Sequence, residues 1–175
     1  MDWIKLAEDI GFEGVCSLNM ESLRVLPEVR EMCAADRCKA YGTRWTCPPG
    51  CGTPEQCQVR MERYGSGILV QTVRTLEDDF DIEGMGEAQK LHGERFARLA
   101  RQVRALSPDC LPLGAGTCTR CASCTYPDLP CRFPAEQLSS MEAYGLLVSD
   151  VCKKSGLPYY HGPGTVTFTA CILLT

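Results

Sequence analysis

Apolar positions along the chain recur at helical spacing in some segments and form short β-branched runs in others. The helical spacing predicts a helix over residues 2–10, a short helix from Pro27 to about residue 32, and a long helix over 86–106. Ser139 begins the sequence S-S-M-E, which resembles a capping box. It predicts a further helix that reaches Val151.

The β-branched and apolar runs predict strands between these helices. The runs lie at residues 12–18, 67–74, 110–115 and 165–174. This order of elements predicts an α/β or α+β fold in which helices pack a small sheet, in a single domain over 1–175. The passages 67–115 and 110–174 are expected to be right-handed crossovers between parallel strands.

Cysteine content changes this picture, because the chain of 175 residues holds 13 cysteines. The number is odd, most of them fall in two glycine- and proline-rich loops at 33–57 and 117–134, and we find no signal-peptide pattern. A cytoplasmic metal protein is therefore expected rather than a disulfide framework. The formal charge of −4 argues against nucleic acid as the main partner, and no apolar run is long enough for a bilayer.

The second loop carries the spacing C-x2-C-x2-C, with a further cysteine after six residues. Its candidate metal ligands are Cys118, Cys121, Cys124 and Cys131. Thiolates at steps of three residues can each bind a different iron of one cubane cluster, and bacterial ferredoxins share this spacing. A tetrahedral zinc usually takes cysteines in separated pairs. The spacing favours a [4Fe-4S] cluster, with zinc as the alternative.

The first loop is expected to hold a second cluster. Its candidate ligands are Cys33, Cys38, Cys47, Cys51 and Cys57. Five thiols are one more than a four-thiolate site needs, so either Cys51 or Cys57 is a spare or serves elsewhere. A zinc knot that uses four of the five is the alternative.

The other cysteines and the histidines have simpler interpretations. Cysteines inside predicted strands or helices are expected to be small buried apolar side chains. They are Cys16, Cys110, Cys152 and Cys171. His92 lies on the apolar stripe of the long helix, which predicts a hydrogen-bonded core histidine. His161 is either an ordinary loop histidine or a cluster ligand or proton donor.

Three motifs occur together: C-x4-C-x2-Y-G-T-R-W-T-C-P-P, then G-I-L-V-Q-T-V, then C-x2-C-x2-C-x-Y-P-x2-P-C-R-x-P. Together they resemble a family of predicted metal-binding proteins, the domain of unknown function 2284, found mainly in anaerobic bacteria and archaea. The resemblance implies a metal or iron–sulfur protein and brings no assigned reaction. It covers the first three cysteines of the first loop and all of those of the second. Cys51 and Cys57 look like additions found in some members.

These observations predict an iron–sulfur protein with two [4Fe-4S] clusters that transfers electrons, or a redox subunit that serves a partner enzyme. A redox partner protein is therefore expected. One alternative is an enzyme whose cluster has an open iron that polarises a substrate. Another is a structural zinc protein that acts as an interaction module.

Overall fold

A computed structural model of the chain describes residues 1–35 and 37–175. Within these ranges the fold is α+β, with five α-helices packed around an open mixed sheet of five strands. The helices are α1 (Trp3–Ile10), α2 (Pro27–Ala34), α3 (Pro54–Met61), α4 (Ile82–Leu106) and α5 (Val148–Ser155). The strands are β1 (Gly14–Ser17), β2 (Ser66–Thr75), β3 (Leu111–Gly114), β4 (Ser139–Ser140) and β5 (Thr165–Leu174).

The sheet has the strand order β1-β2-β5-β3-β4, and every neighbouring pair is antiparallel except β3 and β4. The central pair, β2 and β5, runs from Ser66↔Leu174 to Thr75↔Thr165. Because β2 and β3 are both antiparallel to β5, the α4 segment joins two strands of the same direction with β5 between them. The predicted crossover over 110–174 is wrong, because β5 enters the sheet from the opposite end to β3.

Both faces of the central strands are buried. Ile68 and Val70 lie in an apolar layer with residues of α1 and α4. Leu69, one position along the strand, lies in the opposite layer with residues of α3 and α5. Burial on both faces explains why β2 and β5 have nearly continuous apolar stretches instead of a strict alternation.

The long helix α4 begins earlier than its apolar stripe predicts. The side chain of Asp81 accepts hydrogen bonds from the backbone N–H groups of Gly84 (2.8 Å) and Glu77 (3.1 Å), which caps the helix at Ile82. His92 is buried, and its Nδ1 lies 3.0 Å from the Thr72 hydroxyl. The prediction of a hydrogen-bonded core histidine is therefore confirmed.

The helix predicted from Ser139 is wrong. Ser139 and Ser140 pair with β3 as β4, and the Ser140 hydroxyl accepts from the Ala143 N–H (3.0 Å) within a turn, so α5 begins only at Val148. Gly145 has φ +78°, a conformation that interrupts an α-helix. A Cβ at Gly145 would lie 2.7 Å from a methyl carbon of Val25, so Val25 packs closely against this glycine.

Two further differences concern the first cysteine loop. The helix α2 continues to Ala34, beyond the predicted end near residue 32, and Met32 is 64% exposed. The loop over 33–57 also contains the start of α3, where Thr53 and Gln56 form a capping box ahead of a proline. Among the residues that the structure describes, no helix combines the length and apolarity needed to cross a membrane.

Candidate metal centres

The cysteines of the second loop surround one cavity. Its lining includes Cys118, Cys121, Cys124 and Cys131, all half-buried. The loop leaves the sheet after β3 and returns to it at β4. Arg104 of α4 fixes the returning segment, because its guanidinium donates to the carbonyls of Ala135 (2.5 Å) and Gln137 (2.9 Å). The structure thus brings together the whole set of ligands predicted for this loop.

Backbone N–H groups point at the sulfur atoms of this cavity. Burial acts to raise the pKa of Cys124, but hydrogen bonds from the backbone at Tyr126 and Trp45 outweigh it and lower that pKa. The N–H of Phe133 donates to the sulfur of Cys131 at 3.4 Å. Such donors stabilise thiolate, the form of cysteine that binds metals.

Arginine side chains also line the cavity, namely Arg44, Arg120 and Arg132. Arg44 donates to the carbonyl of Cys118 at 3.0 Å, and Arg132 donates to that of Ser123 at 2.9 Å. The Nε–H of Arg44 is buried and has no hydrogen-bond partner among the described residues. A buried donor that is left unpaired is costly. Its position beside four thiols is suited to an anionic group bound by them.

In the first loop, the thiols of Cys33, Cys38 and Cys47 lie close enough to affect one another's ionisation. Burial raises the pKa of Cys33 and Cys47, and the nearby Cys38 thiol acts in the same direction on both. Cys33 lies in the last turn of helix α2, and its thiol lies 3.8 Å from the carbonyl of Glu142. Cys47 is buried, whereas Cys38 is exposed. This group therefore extends from the core to the surface.

Cys51 and Cys57 form a buried pair. The Cys51 thiol lies 3.5 Å from the carbonyl of Ala143 and the Cys57 thiol 3.8 Å from the carbonyl of Cys51, and Arg30 Nη1 lies 3.6 Å from each sulfur. The adjacent Cys51 thiol and the charges of Arg30 and Arg60 lower the pKa of Cys57, while the Cys57 thiol and burial raise the pKa of Cys51. The positive charge of Arg30 therefore favours a thiolate at Cys57.

The two cysteine loops are in direct contact. The indole of Trp45, in the first loop, donates to the carbonyl of Leu129 at 3.0 Å and packs edge-on against Tyr126 at 4.9 Å. A Cβ at Gly50 would collide with the carbonyl of Arg44 and the ring of Tyr126, so the loops approach more closely than another residue allows. Since Thr46 lines the second cavity and Cys47 belongs to the first group, the two groups share a wall.

Residues 16–174 match a family described as predicted metal-binding protein, DUF2284. The chain belongs to this family. No curated protein and no solved structure matches the chain. The DUF2284 description supports metal binding and leaves the metal unspecified. Across residues 1–35 and 37–175, no three His, Cys, Asp or Glu side chains are gathered so as to hold a single metal ion.

Among the other cysteines of this DUF2284 protein, Cys110, Cys152 and Cys171 are buried as their positions in the sequence predict, whereas Cys16 is only half-buried. Cys16 is in β1, Cys110 just precedes β3, Cys152 is in α5 and Cys171 is in β5. Burial raises the pKa of each of these thiols, which favours the uncharged form. His161 lies 3.2 Å from the side-chain oxygen of Gln71, on the central strand β2.

Sequence patterns missed the residues that surround the thiols. Arg30 and Arg44 carry no local motif that marks them as partners of cysteine, because both act across gaps in sequence. Trp45 and Tyr126 belong to different loops. A signal for α3 was present, since T-P-E-Q combines a capping box with a proline in the first turn.

Proposed function

We propose that this DUF2284 protein is an iron–sulfur protein that binds two [4Fe-4S] clusters and transfers electrons to or from a partner protein. One observation carries the proposal. The three cysteines of the C-x2-C-x2-C motif and the later Cys131 line a single cavity. Backbone and arginine N–H groups project into this cavity. A bound cluster of this type exchanges one electron at a time.

The chemistry of the cavity suits an anionic cluster. Donors to the sulfur atoms of Cys124 and Cys131 stabilise thiolates and, in iron–sulfur proteins, help to set the reduction potential. The charge of Arg44 compensates negative charge near Cys124. The half-buried position of these cysteines keeps the site within reach of a partner at the surface.

The shared wall between the cysteine groups supports electron exchange within the chain. Thr46 lines the second cavity, and the next residue, Cys47, is a candidate ligand of the first group. Consecutive Cα atoms are about 3.8 Å apart. Electrons that enter at the half-buried second group would therefore have a short path to the first.

A specific observation favours a second candidate function. Cys51 and Cys57 lie together beside the guanidinium of Arg30, and if neither binds metal, the first group supplies only Cys33, Cys38 and Cys47. Three thiolates leave one iron of a cubane open, and an open iron polarises a bound substrate. The protein would then be an enzyme.

Anaerobic purification with iron and sulfide analysis tests the proposal. Two cubanes require about eight iron and about eight sulfide per chain. Cys121→Ala should remove about half of this iron, because it deletes a ligand from only one cluster. Cys171→Ala is the matched control, since Cys171 is fully buried in the sheet, and it should keep the full iron content.

Variants of this control type also test which cysteines bind iron and which only pack in the core. Replacing Cys16, Cys110, Cys152 or Cys171 should leave the iron content intact, at a stability cost on the order of 1 kcal/mol. Loss of about four irons from one of them would identify it as a ligand. Stoichiometric zinc without sulfide in the wild-type protein would refute the proposal and favour the structural zinc module.

A further inference from the structure

The second cavity is lined by residues whose buried polar atoms have no partner. In residues 1–35 and 37–175, three buried side-chain nitrogen or oxygen atoms lack a hydrogen-bond partner, namely Arg44 Nε, Thr46 Oγ1 and His92 Nε2. Two of these three atoms belong to residues that line the second cavity, Arg44 and Thr46. A buried polar atom that is left unpaired is costly. Two of them at one cavity indicate that a bound group accepts their hydrogen bonds.

Both residues come from the first cysteine loop, although the cysteines of the cavity belong to the second. The Nη1 of Arg44 reaches across and donates to the carbonyl of Cys118 at 3.0 Å. Trp45 lies between the two residues, and its indole donates to the carbonyl of Leu129 at 3.0 Å. These two bonds fasten the segment from Arg44 to Thr46 to the second loop. The unpaired atoms are therefore held in place before any group binds.

Arg44 differs from the other arginines of this cavity. Arg120 is exposed and pairs with Glu136 at 2.7 Å, and Arg132 is exposed and donates to the carbonyl of Ser123. The Nε–H of Arg44 is buried and free to donate. It combines a positive charge with an unused donor, which suits an anionic acceptor. The sulfur atoms of an iron–sulfur cluster accept hydrogen bonds of this kind.

Thr46 lies at the boundary between the two cysteine groups. It is 4% exposed and directly precedes Cys47, a candidate ligand of the first group. Burial raises the pKa of Cys47 and the Thr46 side chain acts in the opposite direction, so the hydroxyl is also near that thiol. Its oxygen nevertheless has no partner in hydrogen-bonding geometry among the described residues. The hydroxyl is therefore available to a group in the second cavity.

We infer that the Nε–H of Arg44 and the hydroxyl of Thr46 donate hydrogen bonds to sulfur atoms of the cluster proposed for the second cavity. This inference rests on the proposed function. The second site then combines thiolates from one loop with donors from the other. Donors to sulfur stabilise the more negative, reduced state of a cluster, so these two residues raise its reduction potential.

The first experiment measures iron, sulfide and reduction potentials of anaerobically purified Thr46 variants. Thr46→Val is isosteric and lacks the hydroxyl, so it should keep all its iron and lower the potential of the second cluster only. Thr46→Ser keeps a hydroxyl and should return that potential towards the wild-type value. The potential that disappears in Cys121→Ala identifies the second cluster. Thr119→Val is the matched control, since Thr119 is exposed in the second loop and is not among the residues that line the cavity.

Arg44 gives an independent test of the same cluster. Arg44→Lys keeps the charge and loses the Nε–H, whereas Arg44→Gln loses both. The potential of the second cluster should therefore fall in both variants, and further in Arg44→Gln. Arg98→Gln is the control, because Arg98 is exposed on α4, and it should leave both potentials unchanged. If the Arg44 variants do not fold, the isosteric Thr46→Val decides the question.

The outcomes separate this inference from the proposed function. Wild-type protein without sulfide refutes the proposed function before any variant is made. Unchanged potentials in Thr46→Val and Arg44→Lys, with the full iron content retained, would overturn only this inference. A lower potential for the first cluster alone in Thr46→Val would mean that the hydroxyl donates to Cys47, and it would overturn the role given to Thr46.

Discussion

The buried histidine of α4 should make the protein sensitive to mild acid. His92 is 2% exposed and lies among the rings of Phe12, Phe96 and Phe168. Its Nε2 has no hydrogen-bond partner among the described residues. Burial, assisted by the charge of Arg95, lowers the pKa of His92 from 6.5 to about 4, although Glu13 acts in the opposite direction. The folded state therefore requires a neutral imidazole.

The difference between the folded and unfolded pKa of His92 sets how the free energy of unfolding depends on pH. The unfolded chain binds a proton at His92 below about pH 6.5, and the folded chain does so only near pH 4. Stability from this group is complete above pH 6.5 and falls as the pH drops towards 4. At 1.36 kcal/mol per unit, the loss between pH 7 and pH 5 is about 2 kcal/mol, and the full loss is about 3 kcal/mol.

Urea denaturation of wild type and His92→Gln under anaerobic conditions measures this loss. Carboxylates and metal-binding thiols titrate in both proteins, so the difference between their free energies of unfolding isolates His92. That difference should shrink by about 2 kcal/mol from pH 7 to pH 5. His161→Gln is the matched control, because His161 is exposed and the chain has only 2 histidines. It should follow the pH dependence of the wild type.

Two results would refute the reasoning. The first is a difference between wild type and His92→Gln that stays constant from pH 7 to pH 5. The second is an imidazole resonance of folded His92 that titrates near 6.5, the ordinary value for the side chain. Either would mean that the protonated ring is accommodated in the folded protein, for example through movement towards Glu13.

Two further predictions concern the metal sites. Chelation of the metal should lower the melting temperature markedly, because the two long loops depend on metal binding for part of their folding free energy. An identical melting curve for treated and untreated protein would contradict this. Cys131→Ser should shift the potential of one cluster or convert it to a three-iron form, and leave the other cluster unchanged. Unaltered spectra and potentials would show that Cys131 is not a ligand.

Much of the candidate site could be predicted because ligand spacing is a local property of the sequence. The steps of three residues from Cys118 to Cys124 place thiols close together in almost any compact loop. The long helix and the two long strands were also predictable, since their apolar stretches extend over many residues. Membership of the metal-binding family was likewise visible from the paired motifs.

The failures arise from non-local effects. The sequence that starts at Ser139 does form a turn. No helix follows directly, because Ser139 and Ser140 pair with β3 and Gly145 adopts a left-handed backbone conformation. The direction of β5 depends on which end of the sheet the chain reaches after α5, which no periodicity encodes. The contact of Trp45 with Tyr126 joins residues of separate loops, so it could not be read from either motif alone.

The fold explains why the two cysteine groups lie side by side. The second loop is held by β3, β4 and Arg104, which leaves its cavity open on one side. The segment from Arg44 to Thr46 closes that side, and its position is fixed by the Trp45 contacts and by Gly50. This segment leads directly to Cys47 and to the turn that ends at Cys51. The residues that line the second cavity therefore also position the cysteines of the first group. Thiols, backbone donors and fixed arginines therefore belong to one connected structure, as the proposed electron transfer between two bound clusters would require.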